Sequence, residues 1–187
     1  SCVALQSVVN TFGSVVVAAF TATSRIEQLV QQPYNSLGMA VSTFTGQNIG
    51  AGKLDRVKQG LRKGMIIMAI FTFAMIPLAQ FGGEFIMKLF VNEEDVIALG
   101  SQALKITSWF YIFLGSIYVA RGMLNGAGDA TFAFINGIVE MAGRICFAKP
   151  LTMIPAIGVW GVWLATALTW FVAGTISVGR YLQGKWK

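Results

Sequence analysis

Five apolar stretches, each at least about 20 residues long, follow one another along this chain with only short polar breaks between them. They cover residues 15–50, 54–81, 96–124, 129–149 and 157–182. A run of that length spans a bilayer, and in hydrocarbon the backbone must satisfy its own polar groups, which only helices or closed barrels do. Barrel strands are about ten residues long and alternate strictly, a pattern these runs lack. The expected fold is therefore all-α, a polytopic transmembrane bundle. The shorter apolar stretch 1–12, which opens the chain without a Met, reads as the end of a cut helix. That gives five complete spans plus the end of a sixth, and marks the chain as a fragment.

Composition agrees. Hydrophobic residues make up 55% of the 187 positions and charged residues 12%, about half the usual charged share of soluble domains. Mean hydropathy is +0.66. The formal charge of +6 does not indicate nucleic acid, because the basic residues cap apolar runs rather than forming one polar surface. No histidine is present, which excludes His metal sites and His proton relays. Cys2 and Cys146 have no metal-ligand spacing and read as small buried hydrophobes. No cofactor is implied.

The breaks carry Gly-Ala-Gly-Lys at 50–53, Asn-Glu-Glu-Asp at 92–95, Gly-Ala-Gly-Asp at 126–129 and a turn at Pro150 and Pro155. Glycine caps and prolines end helices there. The two Gly-Ala-Gly breaks form a short internal repeat that shared capping chemistry explains equally well. If the spans alternate, Lys53, Arg56, Lys58, Arg62, Lys63, Arg121, Arg180, Lys185 and Lys187 share one side. The other side has Lys88, Lys105 and Lys149 with Glu84, Glu93, Glu94 and Asp95. The positive-inside rule then makes the Gly-Ala-Gly breaks and the C-terminus cytoplasmic. Trp109, Tyr111, Trp160, Trp163 and Trp186 sit near helix ends, as interfacial aromatics do. Residues 54–64 form a basic amphipathic lead-in at the lipid headgroups, so membrane lipid is an expected partner.

Polar groups inside spans are costly and so informative: a central charge costs about 2.5–3.5 kcal/mol. Segment 15–50 carries Arg25, Glu27, Gln28, Gln31, Gln32, Asn35 and Gln47. At about 100° per residue, Arg25 and Glu27 point to nearly opposite faces and do not pair within the helix. Glu27, with Gln31 and Tyr34 on its face and Pro33 beyond, is a candidate cation site; a fixed bridge to another helix is the alternative. Glu140 and Arg144, four residues apart with Glu first, suit an ion pair. Arg144 is also a candidate to hold Glu27 when no cation is bound. The eight methionines and fourteen phenylalanines read mostly as packing, and small residues at Gly115-Ser116 and Gly161 to Ala165 as sites of close helix approach.

The stretches Ala18–Ala22, Arg25–Gln28, Pro33, and Ser42-Thr-Phe-Thr-Gly-Gln-Asn-Ile-Gly-Ala-Gly-Lys53 resemble the multidrug and toxic compound extrusion (MATE) transporters. So do Arg121-Gly122 with Gly126-Ala-Gly-Asp129, Gly158 to Thr166, and Leu168-Thr-Trp170. The resemblance implies two six-helix lobes around a cleft, with this chain (1–187) as the C-terminal lobe truncated at its first helix and the N-terminal lobe absent. It implies an antiporter of the plasma membrane that exports cationic or amphipathic compounds by alternating access in exchange for sodium ions or protons. The expected partners are those substrates and the missing lobe. Some members place a cation-binding aspartate in the tenth helix, but around Phe110–Phe113 this sequence has no acid. Glu27 is the substitute, with a sodium ion or proton at it, and Arg25, Gln28, Gln31, Asn35, Glu140 and Arg144 complete the candidate set.

A flippase of lipid-linked saccharides with a related fold is the alternative. A diphosphate would ask for more buried arginine than Arg25 and Arg144 provide. An integral-membrane enzyme is not expected, since the acids at 93–95 sit in a loop without a His or Cys partner. A structural adaptor would have little reason to embed Arg25 and Glu27.

Overall fold

The computed structural model describes residues 9–184. Cys2, Lys185, Trp186, Lys187 and most of the opening stretch 1–12 lie outside the described residues. Six α-helices follow a 3₁₀ turn at Asn10–Phe12: α1 Ser14–Gly50, α2 Leu54–Lys88, α3 Glu94–Ser108, α4 Tyr111–Gly126, α5 Ala130–Met153 and α6 Gly161–Leu182, the last preceded by a 3₁₀ turn at Gly158–Trp160. The architecture is the all-helical transmembrane bundle expected from the apolar runs.

Helix ends follow the glycines. Gly52 and Gly128 take positive φ, 69° and 87°. In the first break the Lys53 amide donates to Asn48 O at 2.8 Å and the Gly52 amide to Ile49 O at 2.9 Å. In the second, Asp129 N donates to Leu124 O at 2.9 Å and Gly128 N to Asn125 O at 3.0 Å. Both are Schellman caps, which explains why the same tripeptide recurs.

Three expected boundaries move. The span expected at 96–124 is two helices, α3 and α4, bent by 56° at Trp109–Phe110. No glycine or proline marks this break. It is held instead by α2, where the Gln80 amide donates to Lys105 O at 2.8 Å and to Ser108 Oγ at 2.9 Å. Ser108 Oγ also donates to Lys105 O at 2.9 Å. The carbonyl released by the bend is thereby satisfied away from water. The second span runs past residue 81 to Lys88, and α5 continues through Pro150 to Met153, so the turn there is made around Pro155 alone. Among the described residues three helices are individually long and apolar enough to cross a membrane: α2, residues 131–153 of α5, and α6 with its 3₁₀ turn; α3 and α4 pass the same length and hydropathy criterion only when the bent pair is taken as one span. At 37 residues α1 is about 55 Å long, more than sufficient despite its polar positions.

Two buried clusters hold the bundle, one around Phe20, Trp163 and Leu104, the other around Tyr34, Tyr111 and Trp170. Within the second, α1 and α4 cross backbone to backbone. A Cβ at Gly122 would lie 2.1 Å from Gly38 O, one at Gly126 2.2 Å from Ser42 O, and one at Gly38 2.6 Å from Tyr118 O. Gly115 likewise leaves room for Met68, and Gly161 for the Leu151 backbone, as the small-residue pattern suggested. Helix α5 is the least enclosed: Phe134, Ile135, Ile138, Met141 and Ile145 face outward, and Cys146, expected to be buried, is exposed with them.

The crossing has a direct consequence. Gly122→Ala and Gly126→Ala each push a methyl into the carbonyl of α1, and each should destabilise the bundle by roughly 1–3 kcal/mol. Gly137→Ala on α5, where a Cβ meets nothing within 4 Å, should be neutral. Thermal unfolding of the detergent-solubilised full-length protein reads the difference.

Candidate functional site

Glu27 is the buried acid of α1, 8% exposed. It borders a cavity of about 160 Å³ lined by Ser24, Gln28 and Gln31 of α1, Arg144 of α5, and Trp163, Thr166 and Trp170 of α6. Its Oε1 is buried with no hydrogen-bond partner. The charge of Arg144 acts on the carboxyl, and so does the Thr107 hydroxyl from the end of α3. Thr107 Oγ1 nevertheless makes no hydrogen bond of good geometry, and neither does the Trp170 indole Nε1. An oxygen pair from Glu27 and Thr107, beside an arginine and two indoles, is a mixed polar and aromatic setting. Hard cations take oxygen ligands, and the aromatic faces attract organic cations.

The wall is rigid where it touches α6. The Trp163 indole N–H donates to Thr23 Oγ1 at 3.1 Å, and that hydroxyl donates back along α1 to Ala19 O at 2.9 Å. Trp170 packs tilted against Tyr111, with ring centroids 6.2 Å apart.

One turn further along α1 a second polar group begins. Tyr118 OH donates to Gln31 Oε1 at 3.0 Å. Asn35 borders a separate cavity of about 170 Å³ with Gly38, Tyr118, Arg121 and Asn125. Arg121 forms an ion pair with Glu140, both groups about three-quarters buried. A third pair closes the far end: Arg180 Nε donates to Asp129 Oδ2 at 2.8 Å and sits 5.4 Å from the centroid of Phe132. Asp129 Oδ1 also accepts from Phe132 N, capping α5.

Of the residues singled out from sequence, Glu27, Gln28, Gln31 and Arg144 share one cavity. Asn35 lies in the next. Arg25 is exposed on the bundle surface and lines neither, so its membrane-depth position did not translate into burial. Glu140 is the larger correction. Spacing along the helix favoured Arg144, but the ion pair the structure shows for its carboxylate is with Arg121 of α4. Arg121 had been counted with the charges of a connecting break because it stands five residues before Gly126; it lies inside α4. Thr107, Tyr118, Trp163 and Trp170 were not anticipated as site groups. Their signal was weak, since a threonine or tryptophan in an apolar helix is unremarkable until a neighbouring acid is located.

The Arg121–Glu140 pair should behave as an energetic unit. Arg121→Gln and Glu140→Gln should each destabilise the protein by more than the double variant implies, with a coupling of about 1–3 kcal/mol. Glu140→Gln combined with Arg144→Gln should couple more weakly. Unfolding free energies of the three single and two double variants measure both values.

A model of the MatE family matches residues 2–148. The probable multidrug resistance protein YoeA of Bacillus subtilis is 30% identical over 186 residues, covering 99% of this chain and 40% of that protein. The human multidrug and toxin extrusion protein 2 is 27% identical over 152 residues, covering 81% of this chain and 25% of that one. Among solved structures, a MATE crystal structure in the bent conformation superposes with a TM-score of 0.90 at 21% identity, over 99% of this chain and 42% of that chain. The inward-facing conformation of a multidrug resistance MATE family transporter gives 0.87 at 20% identity, over 98% and 43%. The chain thus spans about two fifths of the length of the proteins it resembles over its whole extent.

Proposed function

This chain belongs to the MatE family of integral membrane proteins, and from that membership we propose that it is the second lobe of a secondary antiporter that exports cationic or amphipathic compounds. The whole transporter pairs it with a first lobe of similar size across a central cleft, and works by alternating access in the plasma membrane with its C-terminus in the cytoplasm. Sodium ions or protons supply the driving force. Support comes from the relatives, whose names are those of multidrug resistance and multidrug and toxin extrusion proteins, and from the charge asymmetry of the helix breaks.

The observation that carries the coupling is the carboxylate of Glu27. It is buried, borders a cavity, and has an oxygen that no protein donor occupies. A buried acid in a transport helix demands a positive partner. Here the candidates are an ion from solution and Arg144, whose charge acts on the same carboxyl. In the proposed cycle the entering cation takes Glu27 from the field of Arg144, and its departure returns the carboxylate to the arginine. Gln28 and Gln31 supply amide groups along the same wall. Arg25, exposed, has no part in it.

Dye efflux from sealed vesicles holding the full-length protein, under an imposed sodium gradient or an imposed pH gradient, tests the assignment. Glu27→Gln should lower gradient-driven efflux at least about tenfold while dye binding changes far less, a loss in the range of ordinary coupling energies. Unchanged efflux would make Glu27 structural. Arg144→Gln should tighten apparent ion affinity, and the two substitutions should be strongly non-additive; independent effects would remove Arg144 from the cycle. Transport by this chain without the other lobe would refute the two-lobe proposal.

A further inference from the structure

Beyond Pro33, several turns further along α1 than Glu27, the first turns of α2 lie against the last turns of α1 and leave a groove of about 370 Å³. Its apolar wall is Leu37, Val41 and Phe44 of α1, a stripe at helical spacing. Its other wall runs along α2 from Arg56 and Gln59 through Lys63 to Ile67. The floor is built from glycine: a Cβ at Gly60 would fall 2.5 Å from the Phe44 ring, and one at Gly64 2.8 Å from Val41. The groove is therefore a product of the sequence rather than loose packing.

Its position is informative. Helix α2 has 35 residues, about 52 Å of helix against about 30 Å of hydrocarbon. Its basic residues all fall in the first ten positions apart from Lys88 at its end, and outward-facing Ile66, Ile67, Ile70 and Phe73 follow at once. The change from charge to hydrocarbon comes between Lys63 and Ile66, so the groove crosses the boundary between headgroups and acyl chains. The charges are also unequal. Lys58 is paired with Asp55 at 3.3 Å, whereas among the described residues neither Arg56 nor Lys63 has a carboxylate within ion-pair distance.

We propose that this groove is a binding site for an anionic glycerophospholipid, its phosphate held between Arg56 and Lys63 and an acyl chain lying on Phe44 and Ile67. Arg56 and Lys63 are seven positions apart, about 10 Å along the axis on one face, which suits a headgroup phosphate and its glycerol esters with Gln59 between them. Charge complementarity and continuity with the lipid-facing belt both name lipid as the occupant. The site is independent of the transport reading, because it requires only that α2 crosses a membrane.

Native mass spectrometry of the full-length protein, titrated in detergent with phosphatidylglycerol or with phosphatidylcholine of the same acyl chains, tests it. Wild type should retain phosphatidylglycerol preferentially. The double variant Arg56→Gln/Lys63→Gln should weaken that retention at least about tenfold, as loss of two charge-assisted contacts implies. The control Lys58→Gln/Arg62→Gln removes the same charge from the same segment without touching the groove, and should stay within about twofold of wild type. Equal losses in both double variants would reduce the effect to diffuse surface electrostatics and overturn the proposal, as would no loss in either. Ile67→Ser should also weaken retention, and displacement of the lipid by soluble glycerol 3-phosphate at equal concentration would overturn the acyl contact.

Discussion

The close crossing of α1 and α4 governs the arrangement of the polar interior. With Gly38, Gly122 and Gly126 at the contact, the two backbones approach until carbonyls of one helix occupy the space where Cβ atoms of the other would stand. Membrane helices have no hydrophobic drive toward one another, so this packing is a main source of their association. It also sets register. Tyr118 reaches Gln31 because Gly122, one turn on, lies against Gly38. Asn35 and Arg121 border one cavity for the same reason. A larger residue at the crossing would shift all of these contacts together.

Given that register, the interior sorts its charges into two kinds. Glu140 is answered by Arg121, and Asp129 by Arg180, the latter with its cap on α5 and the ring of Phe132 completing the arrangement. Such pairs tie α5, the least enclosed helix, to α4 and α6. Polar backbone is handled with equal economy: where α3 and α4 part at Trp109, a glutamine from α2 takes the exposed carbonyl. Each of these departures from regular helix or neutral side chain thus has a partner on another helix, as the absence of water in hydrocarbon requires.

Much of this was legible in the sequence, and the rest failed for identifiable reasons. The apolar runs pointed to the class of fold, and the Gly-Ala-Gly tripeptides marked two helix ends, the first at Gly50 as expected and the second at Gly126, two residues past the expected 124, because a Schellman cap is a local structure written in local sequence. The break at Trp109 was invisible, since the group that sustains it lies 28 positions away from Ser108. Glu140 was assigned to Arg144 by a rule about one helix, and another helix supplied a better placed cation. Arg25 illustrates the same limit from the other side. A charge in an apolar run shows that something must solvate it, and says nothing about which face the bundle turns inward.

Glu27 stands apart from the charges just described, and the difference bears on function. Glu140 and Asp129 each have an arginine in direct contact, so their energy is spent on holding helices in place. Glu27 has Arg144 within its field but keeps an oxygen without a donor beside a cavity wide enough for small ions. A structural role would favour closing that oxygen off, since an unsatisfied buried acceptor costs about 1–3 kcal/mol. A carboxylate that must receive and release a cation cannot be closed off, because a permanent donor would compete with every ion that arrived. The incomplete satisfaction of Glu27, beside the paired Glu140 and Asp129, is the feature on which the proposal of an exchangeable site rests.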